Sequence, residues 1–277
     1  MTLYGTLMEM MFFRIALVAY FVSTAGYIVS LFAGRVRVAK ASMWVLFLAF
    51  ALHTVYIAIQ WTGAASIPSA DIYGSLSFIA WVISGAYLAF QTTTKTRVLG
   101  AFVSPAVLVM MIAASSGLMD GASIPSALRG PWVPVHVVLL LAGGALFALA
   151  CLAGTMYLVQ DNLIRNKKVR GFSSLLPSLR DLDRINHICI AWGFPLLTFG
   201  IIAGSIWART VWGSSWHWDP KQIFTAVSWV IYAILVHQRL IIGWSGRKAA
   251  LLSIIAFAGL LFAFIGVNVF FVTMHSF

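Results

Sequence analysis

The sequence predicts an all-α polytopic membrane protein, because it is strongly apolar, carries few charges and divides into long apolar segments. Of its 277 residues, 61% are hydrophobic and 9% are charged, and the mean hydropathy is +0.96. Soluble chains carry about 25% charged residues, so this composition excludes a water-soluble globule. The expected surroundings of the chain are therefore a lipid bilayer.

Eight apolar segments are each long enough to cross a hydrocarbon core of about 30 Å as a helix. These predicted spans are residues 10–32, 43–61, 72–90, 98–115, 133–159, 187–208, 223–241 and 251–272. No small-residue cleavage site follows the first of them, so we expect a retained span rather than a signal peptide. Together the spans predict one integral membrane domain over residues 1–277.

The basic residues predict the orientation of these spans. Fourteen of the 18 Lys and Arg residues lie in or beside alternate connections, namely 34–42, 91–97, 160–186 and the connection after the seventh span. By the positive-inside rule these connections face the cytoplasm. Both termini and the connection between the sixth and seventh spans are then outside. The net charge of +11 thus reflects orientation, and no nucleic-acid partner is expected.

The stretch around the sixth connection is unusually rich in tryptophan. Five of the 11 Trp residues fall within 23 residues of each other: Trp207, Trp212, Trp216, Trp218 and Trp229. An interfacial aromatic belt accounts for any one of them, because the indole ring is apolar and its N–H group prefers water. The spacing is more specific, since Trp216 and Trp218 flank His217 and Pro220 fixes the turn into the next helix. A rigid aromatic shelf beside a helix start suits a large, flat, apolar ligand with a polar edge.

Four of the six histidines form two pairs by their predicted depth. His136 and His275 lie at the outer ends of the fifth and eighth spans, whereas His53 and His237 lie within the second and seventh. The alternative to a binding role for His136 and His275 is an ordinary interfacial position. For His53 and His237 the alternative is an imidazole that is packed in the protein without a ligand. Polar side chains inside a membrane are costly and usually mark a pathway or a ligand, which favours a binding role.

The ligand that these residues favour is haem b, bound without a covalent link. Imidazole binds iron, copper, zinc and nickel, but no acidic residue lies in the middle of a span to complete a hydrated metal site. Haem needs only two axial imidazoles and an apolar, aromatic pocket. Cys151 and Cys189 form no CxxC or CxxCH pattern, so the chain has no site for covalent c-type haem.

The same residues carry a resemblance to a known family. The chain reads Trp-Gly-Ser-Ser-Trp-His-Trp-Asp-Pro-Lys over residues 212–221, followed by His-Gln-Arg at 237–239, Gly-Val-Asn at 266–268 and His-Ser at 275–276. On these motifs it resembles the CcsA/ResC proteins of system II cytochrome c biogenesis, which are haem-handling proteins with a tryptophan-rich WWD domain. The specific motifs lie in residues 130–277. These residues form the predicted core haem-handling region, with the Trp-rich outer loop at 207–222.

The resemblance implies a role for each group of residues. His136 and His275 correspond to the axial ligands of an outer haem, and His53 and His237 to those of a haem inside the membrane. The residues implied in contacting the haem near the outer loop are Trp207, Trp212, Gly213, Trp216, Trp218, Asp219 and Trp229. For Asp219 and Lys221 two roles stay open, which are orienting the motif by hydrogen bonds and meeting the haem propionates.

The implied function is to carry haem across or within the membrane and present it outside. There it is attached covalently to the CxxCH motifs of apocytochrome c, which makes the chain part of a cytochrome c synthetase complex. The implied partners are a ResB/CcsB-type membrane protein, apocytochrome c and thiol-reducing proteins. The implied location is the bacterial cytoplasmic membrane or the thylakoid membrane.

Some residues depart from the family pattern, and two other functions remain open. Gln222 stands where the family commonly has Glu, residues 65–69 read Ala-Ser-Ile-Pro-Ser where His-Phe-Pro-Leu-Ser is expected, and the family assigns no role to His187 or His217. The alternatives are a haem b oxidoreductase that passes electrons to quinone and a transporter of another solute. The lack of a His pair on one helix counts against the first, and the lack of an internal repeat against the second.

Overall fold

The computed structural model describes residues 3–62, 72–93, 97–117, 132–167 and 176–271, and every regular element in these ranges is helical. The long helices are α1 (Leu3–Ala33), α2 (Val36–Thr62), α3 (Ile72–Thr93), α4 (Gly100–Ser115), α5 (Trp132–Arg165), α6 (Leu179–Trp212), α7 (Pro220–Leu240) and α8 (Arg247–Leu261). A 3₁₀ turn (Arg97–Leu99) precedes α4. A π-helical turn (Phe262–Gly266) and the short α9 (Val267–Phe270) continue α8.

The predicted fold class is confirmed. Within the described ranges, seven helices are long and apolar enough to cross a membrane, and α4 is a shorter apolar helix of 16 residues. The orientation of the termini and the single domain over residues 1–277 stay predictions.

Helices α1, α2, α5 and α6 are longer than the predicted apolar spans, and α5 and α6 continue into a predicted connection. The fifth helix runs to Arg165 and the sixth begins at Leu179, so both enter the predicted connection 160–186. The last turn of α5 and the first turn of α6 contain charged residues, which lower the local hydropathy. The helices nevertheless continue through these turns. Asp161 and Arg165 form an ion pair one turn apart, with 2.9 Å between Oδ2 and Nε, which supports the last turn of α5.

The start of α6 and the connection from α6 to α7 follow from capping residues. Ser178 caps α6, and its Oγ accepts the Asp181 backbone N–H at 3.1 Å. The helix ends at Gly213, which adopts φ +77°, a left-handed conformation that glycine takes without steric cost. The next helix opens with Asp219 as N-cap and Pro220 as its first residue, the usual order for a helix start. The connection is therefore only seven residues long.

The described helices form two compact units, of which the first contains α1 to α4. In this unit α1 packs along α2 and against α4, and α3 packs on α4. Its core is built from buried aromatic and aliphatic side chains, with Tyr20, Tyr27 and Tyr87 fully enclosed. Ser23 Oγ donates to the Ser42 carbonyl at 2.9 Å, so small polar residues allow α1 and α2 to approach closely.

The second unit contains α5 to α9, and its tightest contact joins α5 to α6. A Cβ atom at Gly143 would lie 3.1 Å from the Gly193 carbonyl oxygen and from the Leu197 nitrogen, so the two backbones nearly touch. Small residues permit this approach, which is a common way for helices to associate in membranes. Close by, Phe147 of α5 stacks on Tyr232 of α7, with ring centroids 3.6 Å apart.

A buried ion pair joins α6, α7 and the turn before α8. Arg239 Nη2 lies 2.7 Å from Asp183 Oδ1, and only 2% of the Arg239 side chain is exposed. The same oxygen accepts the Gly246 backbone N–H at 3.0 Å, and the Asp183 carbonyl accepts a further Arg239 bond at 3.2 Å. One carboxylate therefore fixes the positions of three segments.

The variant Asp183→Asn tests this role. It keeps the size of the side chain but leaves the Arg239 charge buried and unneutralised, which typically costs about 3 kcal/mol. We expect a clearly lower melting temperature of the purified protein in detergent. Asp181→Asn is the control, because Asp181 lies at the exposed N-terminus of α6. Equal melting of the two variants would contradict the proposed anchoring.

Candidate functional site

The connection between α6 and α7 holds two tryptophans on a constrained backbone. Ser214 Oγ donates to the Trp216 carbonyl at 3.0 Å and accepts its N–H at 3.3 Å. Trp218 adopts φ +55°, a left-handed conformation that is strained for a bulky residue. Its side chain is 75% exposed. Burial of the ring therefore does not explain the strain, which marks this residue as a functional candidate.

Gln222 and Asp219 hold this backbone in place. Gln222 Oε1 accepts the His217 N–H at 2.9 Å, and Asp219 Oδ2 accepts the Lys221 N–H at 3.1 Å. Gln222 is the third residue of α7, and its side chain reaches back to a residue that precedes the N-cap. This arrangement is a variant of the capping box. The amide oxygen of Gln222 accepts this bond as the carboxylate of a Glu would. Gln in place of the expected Glu at position 222 therefore keeps the hydrogen bond but removes a negative charge.

Of the two roles left open for Asp219 and Lys221, this geometry favours the orienting one for Asp219. The Asp219 side chain is buried, with 5% of the residue exposed, and it caps α7. The Lys221 ammonium lies 6.0 Å from the centre of the Phe264 ring. This is the range of a cation–π contact.

The aromatic rings of this region make edge-to-face contacts in two groups, one around Trp212 and one formed by Trp216 and Trp218. Trp207 and Trp212 have centroids 5.0 Å apart, Trp212 and His217 5.7 Å, and Trp216 and Trp218 5.6 Å. Trp207 and Trp212 belong to α6, so the predicted outer loop at 207–222 is shorter than expected and begins at Gly213. The loop contacts the end of α6 through His217 and Trp212.

The imidazole of His136 lies beside Trp207. Its Nδ1 donates to the Gly200 carbonyl at 2.7 Å, and its ring is nearly parallel to that of Trp207 at 6.4 Å. A carbonyl oxygen only accepts, so in the neutral ring the proton is on Nδ1 and the lone pair is on Nε2. Metal-binding histidines typically have this arrangement, in which the second nitrogen is hydrogen-bonded to a carbonyl or carboxylate.

Gly204 makes room for this ring, and the sequence prediction missed it. A Cβ atom at position 204 would overlap Cε1 and Nδ1 of His136. Gly200, which supplies the carbonyl, lies one turn earlier on the same face of α6. Two glycines four residues apart in an apolar helix are a sequence signal for close helix packing, and here they also form the seat of an imidazole.

An open apolar groove lies beside the loop. It has a volume of about 340 Å³ and is lined by Trp216, Trp218 and the face of α7 that carries Ala226, Val227 and Val230. This volume falls at the lower end of the range for small-molecule sites. The two exposed tryptophans are thus continuous with an apolar helix face.

Other predicted site residues lie apart from this group. Trp229 is nine residues into α7, about 13 Å along the helix, where its Nε1 donates to Thr198 Oγ1 at 2.9 Å. The structure thus joins Trp229 to α6 rather than to the outer loop. Its predicted contact with haem stays a prediction.

The remaining histidines are distributed over the chain. His53 is fully buried in the first unit, and His237 is exposed near the end of α7 in the second, so their pairing stays a prediction. His275, the predicted partner of His136, lies outside the described residues. The residues at 65–69 that depart from the family pattern also lie outside them.

A family model described as cytochrome C assembly protein matches residues 69–275. The chain belongs to this family. The CcsA protein of Chlamydomonas reinhardtii is 31% identical over 235 residues, which are 82% of this chain and 65% of that protein. The CcsA protein of Pyropia yezoensis is 30% identical over 81% of this chain and 82% of its own length. Both are named cytochrome c biogenesis proteins, which confirms the resemblance to the CcsA/ResC family.

A solved structure has the same fold. The cytochrome c heme lyase CcmF superposes with a TM-score of 0.68 and 14% identity, over 96% of this chain and 47% of that one. This chain therefore spans about half the length of that protein. At this identity the likeness shows the fold alone.

Gly204→Ala tests the seat of His136. The added methyl group must displace the imidazole or push α6 away, and overpacking of this kind costs about 1–3 kcal/mol. We expect His136 to lose its bond to Gly200 and to react severalfold faster with diethyl pyrocarbonate, measured by mass spectrometry. Gly144→Ala is the control, because a Cβ atom there meets nothing within 4 Å. Equal His136 reactivity in both variants would contradict this assignment.

Proposed function

We propose that this protein binds haem in transit and presents it at its outer face for attachment to apocytochrome c. Family membership establishes the coarser role in cytochrome c biogenesis. The single observation that carries the finer role is His136, whose Nδ1 is bonded to a backbone carbonyl and whose ring lies against Trp207. A fixed imidazole beside a tryptophan cluster is a suitable site for the iron and the apolar ring of haem.

The Trp-rich loop is suited to receiving the porphyrin. Trp216 and Trp218 stand at right angles to each other, with an interplanar angle of 87°, beside the apolar groove on α7. A flat apolar ligand gains contact with an indole face and with the helix at once. Asp219 and Gln222 hold the loop backbone, so they act as positioning residues in this proposal.

Non-covalent binding suits a cargo that must leave. A thioether forms when a cysteine thiol adds across a vinyl group: sulfur bonds one vinyl carbon, the thiol hydrogen goes to the other, and nothing is lost. The cysteines must therefore arrive reduced, which requires thiol-reducing proteins. The histidine of the CxxCH motif can then replace a protein imidazole on iron, so that the product departs.

The second proposed site is a haem inside the membrane, with His53 and His237 as its axial ligands. A buried imidazole within a membrane helix usually has a functional partner, and His53 is 0% exposed. The proposed partners of the chain are a ResB/CcsB-type membrane protein, apocytochrome c and thiol-reducing proteins. The chain is an integral membrane protein, and the proposed locations are the bacterial cytoplasmic and thylakoid membranes.

The variant His136→Gly tests the outer site. We expect the purified protein to lose the absorption signature of imidazole-ligated haem at this site and to recover it when free imidazole is added. Maturation of a reporter c-type cytochrome, co-expressed with a ResB-type partner in cells without another maturation system, should fall by more than about tenfold. Removing only the hydrogen-bond partner of a metal ligand typically lowers metal affinity or activity about tenfold or more. Removing the ligand itself should have at least as large an effect.

The control for this test is His217→Gly, in the same region. His217 contacts Trp212 edge-on, but the proposal gives its imidazole no bond to iron, so the haem spectrum should persist. An unchanged spectrum and normal maturation in His136→Gly would exclude the proposed outer ligand. Electron transfer from bound haem to a quinone, without maturation of the reporter, would favour an oxidoreductase instead.

A further inference from the structure

At one end of the second unit four helix ends meet, and two acidic residues join them. Asp161 of α5 accepts a hydrogen bond from Arg247 at 3.0 Å, which connects the last turn of α5 to the first residue of α8. Asp183 of α6 binds both Arg239 and the Gly246 backbone N–H. The connection from α7 to α8 is therefore fixed at both of its ends. By the positive-inside rule, this end of the unit is predicted to face the cytoplasm.

This connection exposes three consecutive apolar side chains. We refer to residues 240–248 as the α7–α8 turn. Leu240, Ile241 and Ile242 are 62%, 73% and 56% exposed. The backbone of the turn is held in place, because the Trp244 N–H donates to the Gln238 carbonyl at 2.9 Å. Exposed apolar side chains on a hydrogen-bonded turn indicate a surface that contacts another molecule.

The length of α7 indicates where this turn lies in the bilayer. The helix has 21 residues, which at 1.5 Å per residue make a length of about 32 Å. The hydrocarbon core is about 30 Å thick. Since the Trp-rich loop at the start of α7 is predicted to be outside, the α7–α8 turn is at the level of the cytoplasmic headgroups. Its apolar side chains are then next to the acyl chains of this leaflet.

Basic side chains surround the apolar part of the turn, and they are not all neutralised. The described residues of 160–167, 179–187 and 239–248 include seven Lys and Arg residues but three acidic residues. Lys248 forms no ion pair with any described residue. Its ammonium lies 5.4 Å from the centre of the Trp244 ring, which is the range of a cation–π contact. The free cation is therefore held beside the turn.

Arg247 supplies a second cation at the same place. Its side chain is 56% exposed although it pairs with Asp161. A guanidinium has five N–H donors, so the bond to Asp161 leaves donors for a second anion. The α7–α8 turn thus presents apolar side chains and two partly exposed cations within nine residues.

We propose that the α7–α8 turn is a binding site for an anionic phospholipid. Lys248 and Arg247 bind the phosphate of the headgroup, and the acyl chains contact Leu240, Ile241 and Ile242. Clusters of basic residues at the cytoplasmic ends of membrane helices are suited to anionic headgroups. The proposal involves no haem, so it is independent of the function proposed above.

The observations favour a lipid over a protein partner. A phospholipid offers a phosphate and acyl chains in one molecule at this depth of the bilayer. The exposed apolar part of the turn is only three residues long, whereas a stable protein interface buries about 800 Å² of each partner. Anionic lipids also give the cytoplasmic leaflet its negative surface potential.

The test compares two lipids with the full-length protein in detergent. Phosphatidylglycerol or phosphatidylcholine is added at equal concentration, native mass spectrometry counts the lipids that stay bound, and the melting temperature reports stabilisation by the ligand. We expect phosphatidylglycerol to bind at least about fivefold more tightly, since a cation near an anionic lipid contributes about this factor. Inorganic phosphate at the same concentration should not bind, because it has no acyl chain.

Two lysine variants separate a specific site from general attraction to a basic surface. Lys248→Gln should weaken the binding of phosphatidylglycerol about fivefold, and Lys248→Arg should retain it because the charge is kept. Lys167→Gln is the matched control, since Lys167 is also exposed at this end of the unit but follows α5. The control should bind phosphatidylglycerol as the parent does.

A second pair of variants tests the acyl-chain contact. Ile241→Asn should weaken the binding of both lipids severalfold, because it places a polar group against the acyl chains. Ile164→Asn is its control, because Ile164 is 40% exposed in the last turn of α5. All four substituted side chains are exposed, so the variants should fold as the parent does.

The proposal is overturned by any of three results. One is equal binding of the two lipids, and another is an equal loss of phosphatidylglycerol in Lys248→Gln and Lys167→Gln. The third is normal lipid binding in both Lys248→Gln and Ile241→Asn together with weaker co-purification of a membrane partner. That result would assign the α7–α8 turn to a protein contact instead.

Discussion

The close approach of α5 to α6 is the contact on which the candidate site depends. Lipid tails are as apolar as side chains, so helices in a membrane associate through shape and hydrogen bonds rather than through hydrophobic burial. At Gly143 the two backbones nearly touch, and further toward the C-terminal end of α6 the residues Gly200 and Gly204 receive the His136 ring. The packing that holds the second unit together therefore also orients the proposed ligand.

Much of the fold could be predicted from the sequence, because a run of 20 apolar residues has few other solutions than a membrane helix. The ends of the helices could not be predicted as well, because a helix continues past the apolar region when its last turn is supported by polar contacts. Asp161 with Arg165, and Ser178 with Asp181, extend α5 and α6 in this way. The division into two units depends on tertiary contacts that hydropathy does not contain.

The candidate site was predicted in part. The chemistry of His136 and of the tryptophans is visible in the sequence, because these residue types are costly or conspicuous at such positions. What decides their geometry is less visible: Gly204, which has no side chain, and Gln222, which replaces the expected acid but accepts the same kind of bond.

The left-handed backbone at Trp218 limits how this loop can change. Asparagine is among the few residues besides glycine that adopt such angles at modest cost, and β-branched residues are the least tolerated. Trp216, two positions earlier, is not among the described residues with positive φ, so its side chain can be exchanged without backbone strain. Any diversification of the loop, by evolution or by engineering, therefore has far more freedom at position 216 than at 218.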